Sequence, residues 1–284
     1  MHRFRPDLIV VSQGVHCEGI SWLTLCRDSG IPYVVVVQCA TEHFWPRDNE
    51  LDELASGLRS AERCYFVSRG NLKTVNLQIG TPLNNAHLIR NPYNVARETK
   101  LAWPEFDGVF RLACVARLEP MAKGQDILFE VLRMQKWRER ALQVSLFGDG
   151  PNRRHLDLLA KEYALENVRF AGFEPDVSKI WSSHHALVLP SRYEGLPLAV
   201  VETMHCSRPC IVTDVAGNTE LIKDNVDGFV AAAPTVEFLD EAMERAWASR
   251  NRWEEIGRAA GVSIRQQIPP DPVGHFVHEI ESFL

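Results

Sequence analysis

Short apolar runs, most of them unbroken, constrain this chain more than any other feature. They are Leu8–Val11, Tyr33–Val37, Cys64–Val67, Phe110–Val115, Gln143–Phe147, Val168–Phe170, Ala186–Leu189 and Cys210–Thr213. A strand with one face in water alternates apolar and polar side chains. A continuous run belongs instead to a strand covered on both faces, as in parallel sheets. Helical patterns separate the runs, near residues 18–29, 49–60, 126–139, 153–163 and 236–249. This alternation predicts an α/β protein with doubly wound sheets. A polar, proline-containing stretch at Arg90–Asn94 is the natural boundary, dividing residues 1–93 from 94–284. The second part has strands enough for a complete nucleotide-binding domain. The first has about three, which is few for an independent doubly wound domain.

Bulk properties narrow the function classes. The 284 residues carry a formal net charge of −6 and no long Lys/Arg run, so no nucleic-acid partner is expected. No apolar stretch approaches about 18 residues, so no transmembrane span is expected. The start, MHRFRPD, leads only into LIVV, and no signal peptide is expected either. The seven cysteines have no C-x-x-C spacing, and several sit in apolar runs. They read as reduced core residues of a cytoplasmic protein. No D-x-D pair occurs, which removes the usual carboxylate pair for a catalytic divalent ion; the metal expectation is none.

Chemistry concentrates in LPSRYEGLPLAVVE, residues 189–202. A buried strand ends in a polar turn, and a helix starts at the Gly-Leu-Pro step. Pro197 suits the first helical position, where its missing N–H costs nothing. Gly195 lets the backbone come close to a ligand. The unpaired amides of a helix start attract anions. Glu194 and Glu202 bracket that place. Eight residues of helix rise about 12 Å, wider than the roughly 5–9.5 Å between glycosidase carboxyls. The span fits a sugar nucleotide lying across a helix end. Alternatively, Glu194 merely charges the helix start and Glu202 is a solvated helix residue.

Five ordered blocks carry a resemblance: ACVARLEPMAKGQDIL, LFGDGPNRRHL, VRFAGFEPDV, LPSRYEGLPLAVVE and PCIVTDVAGNTELIKDNVDGFV. From about Phe110 to Phe229 the chain resembles the donor domain of family 4 glycosyltransferases, retaining enzymes of the GT-B fold. PDLIVVSQG, GIPYVVVVQ, YFVSRGN and IRNPYNV are similar to the second half of that family's acceptor domain. The family's earlier strand–helix units, with a glycine-rich loop over the cleft, are missing before PDLIVV. The resemblance implies a GT-B-like α/β fold. A truncated Rossmann-like acceptor-side domain (1–93) would precede a complete Rossmann-like nucleotide-sugar-binding domain (94–284), whose last helix would cross back to the first.

The resemblance also implies roles. Arg117 and Lys123 would contact the donor diphosphate. Glu194 would hold sugar hydroxyls and Glu202 the ribose. Gly195, Leu196, Pro197 and Leu198 would shape the loop over the diphosphate. Gly148 lies in a tight turn with Gly150, Phe173 could sit beside the base, and Arg192 could reach an anion. On the acceptor side, Gln38 stands where many members place a histidine, and His43 follows five residues on. Each has a bland alternative: surface charge for Arg117 and Lys123, turn geometry for Gly148, core packing for Phe173, a structural role for Arg192 and His43. Ala116 stands where the family often has glycine.

The implied reaction moves a sugar from a nucleotide-diphosphate sugar, UDP- or GDP-linked, to an acceptor hydroxyl with retention of anomeric configuration. No cofactor and no metal are implied. The acceptor would be a glycan or a lipid-linked molecule, reached in the cytoplasm or at the inner face of the membrane by peripheral contact. A second reading stays open: a nucleotide-sugar-binding module, or half of a split enzyme without activity of its own. Missing strand–helix units would leave sheet edge exposed, which favours a dimer or a partner chain.

Overall fold

The computed structural model describes residues 6–283. It divides into two compact units. The first comprises the chain up to Pro92, the short segment Glu194–Leu196 and the chain from Asp271 onward. The second comprises Tyr93–Tyr193 and Pro197–Pro270.

In the first unit, β1 (Ile9–Gln13), β2 (Tyr33–Val37), β3 (Arg63–Phe66) and β4 (Ala86–Leu88) form a parallel sheet in that order. Parallel neighbours cannot be joined by a hairpin. Helices therefore make the crossovers: α1 (Ile20–Ser29), α2 (Asp48–Ser60) and α3 (Arg69–Gln78). One sheet face packs Val35, Val37, Cys64 and Phe66 against Leu23, Leu54, Leu58 and Val75. All five residues of β2 are buried, as its unbroken run predicts. The run at Leu8–Val11 behaves differently. Val10 is exposed, and among the described residues β1 has only β2 as a neighbour. It is an edge strand rather than a covered one, and on α1 Trp22 and Leu25 are exposed too.

The second unit holds six parallel strands: β5 (Phe110–Val115), β6 (Leu142–Phe147), β7 (Val168–Gly172), β8 (Ala186–Leu189), β9 (Cys210–Thr213) and β10 (Phe229–Ala231). Their helices are α4 (Pro120–Lys123), α5 (Gln125–Leu132), α6 (Gln135–Arg138), α7 (Arg153–Glu162), α8 (Val177–Ser183), α9 (Leu198–His205), α10 (Asn218–Leu221), α11 (Val236–Ala248) and α12 (Trp253–Gln267). The helix expected over 126–139 is split, because Met134 has extended backbone, ψ 139°. Phe129, Trp137, Phe229 and Trp253 fill the core. In space the strands run β10-β9-β8-β5-β6-β7, so the order reverses between β8 and β5.

A last helix, α13 (Pro272–Glu281), belongs to the first unit. Its Phe276 meets Tyr65 edge-on at 5.3 Å, and Glu279 pairs with Arg63. With Phe283 it covers the second face of the sheet, over Val34, Val36 and Tyr65.

Three histidines of the second unit are buried in the neutral form. His185 Nδ1 accepts the amide of Arg111 at 3.0 Å. His205, fully buried, stacks on Tyr93 at 4.5 Å. Burial, followed by nearby arginines, pushes His185 and His205 down to about 4, and burial also lowers His184. Unfolded histidine titrates near 6.5. Between the two values the unfolded chain binds more protons, so stability is full above pH 6.5 and lost as pH falls towards 4. Each of His185 and His205 contributes on the order of 3 kcal/mol to that loss. Buried Glu202, whose carboxyl is raised by desolvation, offsets part of it. Thermal melts at pH 7.5 and 4.5 should show the midpoint falling at the acid end; equal midpoints would contradict neutral burial.

Candidate functional site

An open α/β sheet takes its ligand in the crevice outside the carboxyl ends of its strands, where strand order reverses. In the second unit that place lies beyond β5 and β8. The loops there are held by backbone contacts. After β5, Ala116 N donates to Phe147 O at 3.0 Å and Leu118 N to Asp149 O at 3.0 Å. Asn152 N returns to Leu118 O at 3.1 Å. This proximity requires glycine. A Cβ on Gly148 would lie 2.2 Å from the Ala116 carbonyl, and its φ is +125°; one on Gly150 would lie 2.6 Å from Leu118 O. Gly148 therefore sets the loop that carries Arg117.

The two cations differ in setting. Arg117 is exposed and pairs with Glu119. Lys123 closes the one-turn helix α4, half-buried, with its amide on Glu119 O at 2.8 Å. Its charge reaches the Cys114 thiol beneath: burial pushes that thiol up to about 12 and Lys123 pulls it back. Gln125, fully buried, donates to Arg117 O at 2.8 Å. Both cations thus hang from the start of α5.

The Arg192 guanidinium grips Asp126 with two bonds of 2.7 Å and Pro120 O at 2.6 Å. These bonds fit the structural alternative for Arg192, since the donors that make them are turned into the protein. Phe173, following β7, is 77% exposed, so core packing is not its role.

Helix α9 starts one residue later than the sequence suggests. Pro197 is the capping residue, with ψ 119°, and Leu198 opens the helix. The Pro197 carbonyl takes Val200 N at 3.1 Å and Val201 N at 3.2 Å, which leaves the amides before Val200 at the helix mouth. Glu202 is 5% exposed, not a solvated helix residue. One of its oxygens accepts Asn94 N at 2.9 Å, and burial raises its carboxyl against that bond.

The remaining predicted residues lie in the first unit. Glu194 and Leu196 are buried there. A Cβ on Gly195 would lie 1.9 Å from the Gln38 carbonyl, so Gly195 serves backbone contact as well. Gln38 itself accepts from Asn91 Nδ2 at 2.8 Å. His43 is exposed, its amide on Thr41 Oγ1 at 3.2 Å. Sequence reasoning missed a buried polar group at the carboxyl end of this sheet: Gln13, His16, Asn71 and Gln78. Gln78 Nε2 donates to Thr41 O and Phe44 O at 3.0 and 3.1 Å. Burial lowers His16, partly offset by Gln78. The available signal was weak, a single His following an apolar run. Among the described residues, no group of three or more His, Cys, Asp and Glu side chains is placed to hold a metal ion.

Two Rossmann-like parallel-sheet units, one with its strand order reversing between β8 and β5, are the architecture of the GT-B fold. The solved structure of Anabaena Alr3699/HepE in complex with UDP and glucose matches at a TM-score of 0.79 with 19% identity, over 98% of this chain and 78% of that one. Residues 97–261 match the family model described as glycosyl transferases group 1, and the chain belongs to that family. Among curated relatives, the Streptomyces kanamyceticus alpha-D-kanosaminyltransferase is 32% identical over 126 residues, 43% of this chain and 33% of that protein. The Escherichia coli UDP-Gal:alpha-D-GlcNAc-diphosphoundecaprenol alpha-1,3-galactosyltransferase is 35% identical over 74 residues, 26% of this chain and 19% of that protein. The matched stretches thus span a third or less of these two relatives.

Proposed function

We propose that this chain is a retaining hexosyltransferase of the family 4 type, moving a sugar from a nucleotide-diphosphate sugar to an acceptor hydroxyl. The observation that carries this reading is the reversal of strand order between β5 and β8, where the following loops carry Arg117, half-buried Lys123 and the start of α9. When the bond between the anomeric carbon and the diphosphate oxygen breaks, negative charge grows on the leaving diphosphate. Fixed cations and helix-start amides stabilise that charge more in the transition state than before it. The acceptor oxygen bonds the anomeric carbon on the same face, and its proton passes to the departing diphosphate oxygen. Glu194 would hold sugar hydroxyls, Glu202 the ribose, and exposed Phe173 would lie beside the base.

UDP is the favoured nucleotide. A neighbour of the same fold is described in complex with UDP and glucose, and a relative's name specifies UDP-Gal. That relative's name also contains a diphosphoundecaprenol, which supports a lipid-linked or glycan acceptor. Seven free thiols favour the reducing cytoplasm. Among the described residues no helix is long and apolar enough to cross a membrane, so membrane contact would be peripheral.

Titration with UDP, GDP and their sugars, followed by anomeric NMR of the transfer product, tests the reading. Binding of a UDP-sugar and a product of unchanged anomeric configuration are expected. An inverted product would remove the family 4 type. The second reading, a binding module or half of a split enzyme, is not favoured; binding without turnover, with any acceptor supplied, would restore it.

A further inference from the structure

Lys123 sits on a helix that cannot hold itself. Helix α4 is four residues long, a single turn, and an isolated turn is unstable. What fixes it is the segment after β8. The Arg192 amide donates to Ala122 O at 2.8 Å. The Arg192 guanidinium takes the Pro120 carbonyl at the other end of the same turn. Its fork then closes on both oxygens of Asp126, in the first turn of α5. Between these grips Gly124 lies so close to the Pro190 carbonyl that a Cβ would come within 2.0 Å of it. The turn bearing Lys123 is therefore clamped before, within and after by residues 190–192.

We infer that the Arg192–Asp126 pair is a positioning device that holds Lys123 at the donor diphosphate, an inference that rests on the reading of Lys123 given above. The pair does not touch the donor. Its fork geometry is the reason for arginine: two parallel bonds fix direction as well as distance, and a third donor remains for Pro120. Lysine, a point charge on a flexible stem, has three donors but no planar fork to fix their direction. The Arg117 peptide is held separately, by Gln125, so the clamp acts on Lys123.

The test compares Arg192→Gln, Arg192→Lys and Asp126→Asn, each alone and combined with Lys123→Ala, on the UDP-sugar found by titration. Arg192→Gln and Asp126→Asn should lower kcat about 10-fold, a loss of about 1.4 kcal/mol, with donor KM changed less than about 3-fold. In the Lys123→Ala background neither should cause a further loss, since the residue it orients is gone. A structural role alone would give equal losses in both backgrounds, or a lower yield of folded enzyme with normal kcat; either overturns the inference. Arg192→Lys keeps the charge and covers the case in which glutamine prevents folding. Hydrogen exchange provides the readout independent of activity: amides of residues 121–124 should exchange faster in each variant while β5 and β8 stay protected. If the unsubstituted protein binds and transfers nothing, the proposed function fails. The exchange result then still decides whether the clamp exists, and unchanged exchange at 121–124 would reject it.

Discussion

Lys123→Ala lowers turnover by about 100-fold, the largest single effect expected on activity. A cation that meets developing charge in a water-poor crevice is worth several times what it is worth in solvent, and about 2.7 kcal/mol suffices for that factor. Lys123 is half-buried at the end of α4, and its field already reaches the fully buried Cys114. Arg117 makes an instructive comparison. It is exposed and its charge is shared with Glu119, so Arg117→Ala should cost several-fold less. Initial rates under saturating donor decide the matter. A Lys123→Ala enzyme with the turnover of the unsubstituted protein would remove the lysine from the reaction, and equal losses for the two substitutions would contradict the difference in setting.

Gly124→Ala has the largest expected effect on stability. The residue has φ +65°, where an L side chain costs about 1–2 kcal/mol, and its Cβ would stand 2.0 Å from the Pro190 carbonyl. No flexible side chain can yield there, because the obstacle is backbone. We expect a loss of about 3 kcal/mol or more, which lowers the midpoint of the second unit by roughly 6–12 °C. Trp137, Trp181 and Trp253, all buried in that unit, report its unfolding by fluorescence. Gly172→Ala is the control: φ is +79°, but nothing lies within 4 Å of the added carbon. It should show only the conformational cost. Equal melting of the two variants would mean that the Pro190 contact imposes no constraint.

The fold was legible where apolar periodicity was strong. The runs at Tyr33–Val37, Phe110–Val115, Ala186–Leu189 and Cys210–Thr213 are strands with the same bounds. Strands β4 and β10, three residues each, are too short to stand out from loops. Helix α12 was not among the helical patterns, and it contains Gly257 and Gly261. They are there for packing: a Cβ on Gly257 would lie 2.3 Å from the Ser207 carbonyl. At the site, residue types and chain positions were readable from the ordered blocks, but partners were not. Asp126 lies 66 residues from Arg192, and no local pattern pairs them. Arg192 was therefore left between an anion contact and a structural role, and Gly195 was read as a loop former rather than a neighbour of the Gln38 carbonyl.

Helix α13 has a consequence for the order in which the protein comes into being. Synthesis delivers β1 to β4 early, and domains generally begin to fold as they leave the ribosome. One face of that first sheet can close at once on α1, α2 and α3. The other face, with Val34, Val36 and Tyr65, waits for Phe276 and Phe283, which are made only after the second unit. The nascent first unit therefore carries an uncovered apolar sheet face throughout translation of the second unit. A gene divided at Pro92 would make that waiting state permanent unless the tail from Asp271 were returned to the first piece.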